Sequence, residues 1–103
     1  MSTKIVKLND IEIQRHLREL SGWQINSGEL QREFSLASFP SAIFFVSTIA
    51  QLAELEAHHP DILISYNKVA LTLSTHTVSG ITAKDFMLAQ KIDAAWSIFT
   101  MKA

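Results

Sequence analysis

The stretch Pro60-Asp61-Ile62-Leu63-Ile64-Ser65-Tyr66-Asn67-Lys68-Val69-Ala70-Leu71-Thr72-Leu73-Ser74-Thr75-His76 decides the fold. Its β-branched and aliphatic residues alternate with polar ones, the pattern of half-buried strands. Two strands, Ile62–Tyr66 and Val69–Thr75, are read as a hairpin across Asn67-Lys68, because asparagine tolerates left-handed turn geometry. Just before it, Ala42, Phe45, Ile49, Leu52 and Glu56 recur at helical spacing, and Phe44, Val46 and Ala53 widen the apolar face. Ser38 is a suitable N-cap for that helix and Pro40 is tolerated in its first turn. Pro60 is expected to stop it, since the residue before a proline disfavours helical angles.

Working towards the N-terminus, Trp23–Ile25 and Leu30–Leu36 read as a second hairpin turning at Asn26-Ser27-Gly28. Asn9-Asp10-Ile11-Glu12 has the form of a capping box opening a short helix, striped by Ile13, Leu17 and Leu20 and ended by Gly22. Towards the C-terminus, Gly80 and a capping Thr82 precede a last helix carrying Phe86, Leu88, Ala89, Ile92, Ala95, Trp96 and Phe99. The order α-β-β-α-β-β-α predicts an α+β domain over residues 1–103, a four-stranded antiparallel sheet with helices packed on one face. Strand Leu30–Leu36 is a candidate exposed edge, able to pair with its twin in a dimer.

Of 103 residues, 48% are hydrophobic and 18% charged, enough for a real core, although a chain this short leaves much surface wet and self-association is a common remedy. The formal net charge is −1 with no basic stripe, so nothing predicts direct contact with nucleic acid or an anionic membrane. The absence of cysteine removes disulfide and thiolate chemistry. The N-terminal residues lack the apolar run of a signal peptide, and Ala42–Ala53 falls far short of the roughly 20 residues that span a bilayer. A cytoplasmic location is the default expectation.

Chemistry concentrates in the histidines. His58 and His59 are placed in the final turn of the central helix, where the helix dipole favours a positive charge. Neighbours on a helix point about 100° apart, so one ring can face a pocket while the other flanks it. Glu54, four residues before His58, is placed to orient its ring. His76 is placed at the end of the last strand, on the polar face with Thr72 and Ser74. Each residue also has a plain structural reading. The histidine pair suits a helix end, His76 suits a polar surface, Asp85 completes a Thr82-x-x-Asp85 capping box, and Glu54 suits a solvated helix face. His16, among Arg15, Arg18 and Glu19, reads as surface, and Trp23, Trp96, Phe44 and Phe45 read as core or subunit contacts. Zinc is the rival chemistry for three imidazoles, but neither His-Glu-x-x-His nor a cysteine pair is present. No glycine elbow surrounds a serine, and no glycine-rich phosphate loop occurs. Composition and spacing alone reach a small α+β domain with a possible histidine site.

One constellation goes further: Glu54-x-x-x-His58-His59-Pro60, Tyr66-Asn67-Lys68-Val69, Leu73-Ser74-Thr75-His76 and Gly80-Ile81-Thr82-x-x-Asp85. Residue types and spacings together resemble the signature of the pterin-4a-carbinolamine dehydratases, also known as dimerisation cofactors of a hepatocyte homeodomain factor. The N-terminal part agrees more loosely, through Gly22-Trp23 and the order of elements. The resemblance implies an α+β subunit assembled as a homodimer or homotetramer. It implies dehydration of a 4a-hydroxytetrahydropterin to the quinonoid dihydropterin, recycling tetrahydrobiopterin without metal or redox cofactor. It makes His58, His59 and His76 the active-site histidines, with Glu54 and Asp85 as supporting carboxylates. Imidazole suits the task, because one proton must reach the C4a hydroxyl and another must leave N5. Within that frame His58 and His76 are assigned the proton transfers and His59 mainly pterin binding. The alternative is a non-catalytic oligomer that stabilises a partner protein's dimer.

Overall fold

A computed structural model of the chain describes residues 5–100. The first helix, α1 (Asp10–Leu17), opens on a complete capping box: the Asn9 side chain accepts from the Glu12 N–H and the Glu12 carboxylate accepts from the Asn9 N–H. It ends at Leu17, short of the expected Gly22, and the chain passes through turns to Gly22, whose φ of 85° suits glycine. Strands β1 (Gln24–Asn26) and β2 (Glu29–Ser35) then form an antiparallel hairpin. Its two-residue loop is Ser27-Gly28, with φ of 53° and 75°, the mirror-type turn whose twist matches paired strands.

Helix α2 (Phe39–Glu56) starts where Ser38 caps the Ser41 N–H and carries a proline in its first turn. It is followed by β3 (Asp61–Ser65) and β4 (Lys68–Leu73), a 3₁₀ turn over His76–Val78, and helix α3 (Ala83–Thr100). The β3–β4 loop is Tyr66-Asn67, one residue earlier than the sequence suggested, because Ser65 pairs with Lys68. Tyr66 takes the left-handed conformation at φ 55°. Asn67 instead ties the hairpin to the start of α2: its side-chain amide donates to the Leu36 carbonyl, and the Leu36 N–H donates to the Asn67 carbonyl.

The four strands are all antiparallel in the order β1-β2-β4-β3. This overturns the expectation that Leu30–Leu36 is an edge. β2 is interior, paired with β1 on one side and with β4 on the other. The edges are the three-residue β1 and the polar-flanked β3. A pairing so distant in sequence leaves no local trace; what drives it is the register that stacks Leu30 on Leu73 and Phe34 on Val69.

One sheet face carries Leu30, Phe34, Val69, Leu71 and Leu73, all buried, beneath Ala42, Phe45 and Ile49 of α2 and Phe86, Leu88, Ala89 and Ile92 of α3. The other face carries Gln31, Glu33, Leu63 and Thr72 and stays partly or fully exposed. The helices therefore cover one face, as the alternation required. Phe34 lies at the centre, with the Phe45 and Trp96 rings each at 5.0 Å and Trp23 at 6.2 Å. Near it Asp93 accepts from the Trp23 indole at 2.8 Å and from Arg32 at 3.0 Å, fixing α3 to the first hairpin. His16 is not merely surface. It stacks on Phe86 with centroids 4.8 Å apart, so α1 docks on α3 through this ring. No helix among the described residues is long and apolar enough to cross a membrane.

Candidate active site

The end of α2 builds the site, and differently from the sequence reading. The helix stops at Glu56 because Ala57 turns left-handed, at φ 51° and ψ 41°. The Ala57 N–H donates to the Glu54 carbonyl and the His58 N–H to the Ala53 carbonyl, the two bonds of a Schellman motif. His58 and His59 thus lie beyond the helix rather than in its last turn, and Pro60 only follows a stop already made. The change of direction also reassigns their partners. Glu54 does not reach His58; it binds Nε2 of His59 at 2.5 Å, with both side chains mostly exposed.

His58 turns inward and meets Asp85 of α3, its Nε2 2.5 Å from Oδ1. Asp85 is fully buried, and His58 is only 11% exposed at its side chain. A buried carboxylate needs donors on every side. Oδ2 receives the Thr82 N–H and the Thr75 hydroxyl, each at 2.9 Å. Because Thr75 has one hydroxyl proton and gives it to Asp85, the 2.8 Å contact between Thr75 and Thr82 runs from the Thr82 hydroxyl to the Thr75 oxygen. Thr82 in turn accepts from the Lys84 N–H. Asp85 therefore does complete the helix cap that the sequence suggested, and it orients His58 with its other oxygen. That oxygen accepts, so Nε2 of His58 carries a proton, and in the neutral imidazole it is Nδ1 that keeps a lone pair.

His76 also departs from its expected place. β4 ends at Leu73, and Thr75 forms a bridge with Gly80 that closes a small loop through the 3₁₀ turn. His76 begins that turn and is exposed, so strand parity does not set its direction. It nevertheless lines one cavity of about 260 Å³ with His58, His59, Ser74, Thr75, Ala57, Thr77, Ile5 and Lys84. The structure thus brings all three histidines together, with Asp85 behind the first and Glu54 outside the second. Sequence reasoning missed Thr75. The signal was present: it continues the inward series Val69, Leu71, Leu73, so a hydroxyl falls at a buried position and must find a partner. A second cavity of about 380 Å³ adjoins through Ile5, His58 and Lys84 and is lined mainly by Val6, Leu8, Ala83 and Met87.

A histidine held by a buried carboxylate, lining one small cleft with a second imidazole, has the groups that paired proton transfer needs. The profile of the family described as pterin 4 alpha carbinolamine dehydratase matches residues 6–95. The chain belongs to that family. A Roseiflexus castenholzii protein provisionally named a pterin-4-alpha-carbinolamine dehydratase is 54% identical over 86 residues, covering 84% of this chain and 92% of its own. A similarly named Aquifex aeolicus protein is 44% identical, covering 84% of this chain and 88% of its own. Among solved structures, a transcriptional coactivator/pterin dehydratase from Brucella melitensis superposes with a TM-score of 0.83 at 35% identity, over 86% of this chain and 97% of that one. A pterin dehydratase-like protein identified as a RuBisCO assembly factor of the alpha-carboxysome gives a TM-score of 0.58 at 25% identity, over 70% and 83%.

Proposed function

We propose that this dehydratase-family chain removes water from a 4a-hydroxytetrahydropterin to give the quinonoid dihydropterin, as in tetrahydrobiopterin recycling. The observation that carries the reading is the Asp85–His58 pair beside His59 and His76 in one cavity. The reaction breaks the C4a–O bond and forms C4a=N5. The N5 lone pair moves into the new double bond, the N5 proton is taken up, and the hydroxyl leaves as water after gaining a proton. His58, with Nδ1 as its free acceptor, takes the N5 proton. His76, on a separate element, delivers the proton to the departing oxygen. His59, mostly exposed and held by Glu54, binds the pterin. No step calls for a metal or redox cofactor.

The second reading is a binding role, and the names of the two solved neighbours motivate it. What goes beyond capping α3 is the second Asp85 oxygen, which holds His58 at the cleft, and that contact favours the catalytic reading. Purified protein should accelerate dehydration of 4a-hydroxytetrahydropterin, followed by absorbance after rapid generation of the substrate. A rate equal to the spontaneous one would favour the binding role. The reading includes a cytoplasmic location and a homodimer or homotetramer; only the self-association has a structural motive, the exposed Phe44 and Leu55 on α2 and Ile98 on α3.

A further inference from the structure

Glu29 lies outside the motif that carries the resemblance, yet the fold brings it to the histidine cleft. It opens β2 directly after the Ser27-Gly28 turn, and the Leu30–Leu73 pairing sets it opposite Ser74, two residues before His76. The Ser74 hydroxyl donates to Glu29 Oε2 at 3.0 Å across the sheet end. Glu29 is half-buried, and among the described residues it forms no ion pair. It lines a cavity of about 290 Å³ with Ser27, Gly28, Ser74, His76, Ser79 and Gly80. That cavity shares Ser74 and His76 with the three-histidine cleft. Three neighbouring cavities thus share lining residues in series: the apolar one meets the histidine cleft at Ile5, His58 and Lys84, and the cleft meets the Glu29 cavity at Ser74 and His76.

A pterin is asymmetric in a matching way. Its pyrimidine edge presents two parallel donors, N3–H and the 2-amino group, while C4a and N5 lie further in and the substituent on C6 points away. A carboxylate is the side chain that accepts two parallel N–H groups. We propose that Glu29, steadied by Ser74, binds the N3–H and 2-amino edge of the substrate and so sets which way the ring lies beneath His58 and His76. This rests on the pterin reading above and adds to it a residue that determines specificity. Ser74 occupies one lone pair of Oε2, which leaves Oε1 and the rest of Oε2 for the two donors.

The test compares wild type with Glu29→Gln, which preserves size and the bond from Ser74 but places an N–H₂ where an acceptor is needed. Two probes report on the edge: 7,8-dihydropterin, and 7,8-dihydrolumazine, which has a carbonyl in place of the 2-amino group. Wild type should bind the pterin about 10- to 100-fold more tightly than the lumazine. In Glu29→Gln that preference should vanish or invert, and the loss with 4a-hydroxytetrahydropterin should fall mainly on KM rather than kcat. A Glu29→Gln protein, folded by circular dichroism, that keeps the wild-type preference overturns the proposal even if dehydratase activity is confirmed. Conversely, a wild type without dehydratase activity but with a Glu29-dependent preference for the pterin supports this assignment while the catalytic reading fails. A wild type that binds neither probe contradicts both.

Discussion

Asp85 joins two roles in one side chain: with Oδ2 it caps α3 and with Oδ1 it holds His58. Asp85→Asn separates them. The amide oxygen can still accept from Thr75 and Thr82, but its N–H₂ must donate to His58 Nε2 and so moves the imidazole proton to Nδ1. The fold should persist by circular dichroism while kcat/KM drops about 10²–10⁴-fold, the usual worth of a positioned acid or base. Full activity in this variant would remove His58 from proton transfer. Asp93 gives a second test. Burial raises its carboxyl above the ordinary 3.8, outweighing the Trp23 hydrogen bond and the Arg32 charge that lower it. A raised carboxyl is best accommodated when protonated, so its contribution is greatest below that pH and declines as pH rises through the folded value. Thermal melts of wild type and Asp93→Asn, from about pH 3 to about pH 6, should therefore shift in favour of the variant. At this scale the three histidines and two carboxylates singled out from the sequence lie at or beside one cleft. Their pairings were not, because a partner across 27 residues, as for His58 and Asp85, depends on tertiary packing.

Among elements, the end of α2 is the decisive one. Ala57 holds a left-handed conformation that disfavours a side chain by roughly 1–2 kcal/mol. Ala57→Gly should raise stability to denaturant by about 0.5–1 kcal/mol, after allowing for the greater freedom of glycine in the unfolded chain. A loss of stability would mean that the methyl group makes a packing contact that outweighs the strain. The sequence reading located this helix, its Ser38 cap and its approximate end, because periodicity and caps are local signals. It attributed the stop to Pro60 because proline is the stronger marker, whereas an alanine in the left-handed region has no marker at all. The Tyr66-Asn67 loop slipped by one residue for a related reason: asparagine suits a turn, yet here its side chain serves the Leu36 carbonyl.

For the whole molecule, the element order and the covered sheet face followed from alternation in the two hairpins and the apolar faces of α2 and α3. The strand order did not, since two hairpins of similar character can be joined through either member. The core converges on Phe34, so Phe34→Ala should destabilise by about 3–5 kcal/mol, measured by urea unfolding. A change under about 1 kcal/mol would place the centre of the core elsewhere. The cleft, by contrast, borrows one residue or more from the loop after α2, the end of β4, the 3₁₀ turn and α3, which explains why no single segment announces it. The most direct test of the whole account is the dehydration rate of 4a-hydroxytetrahydropterin with wild type and with His58→Ala/His76→Ala side by side. Wild type should exceed the spontaneous rate and the double variant should lose at least about 10² of that acceleration; a double variant as fast as wild type would contradict it.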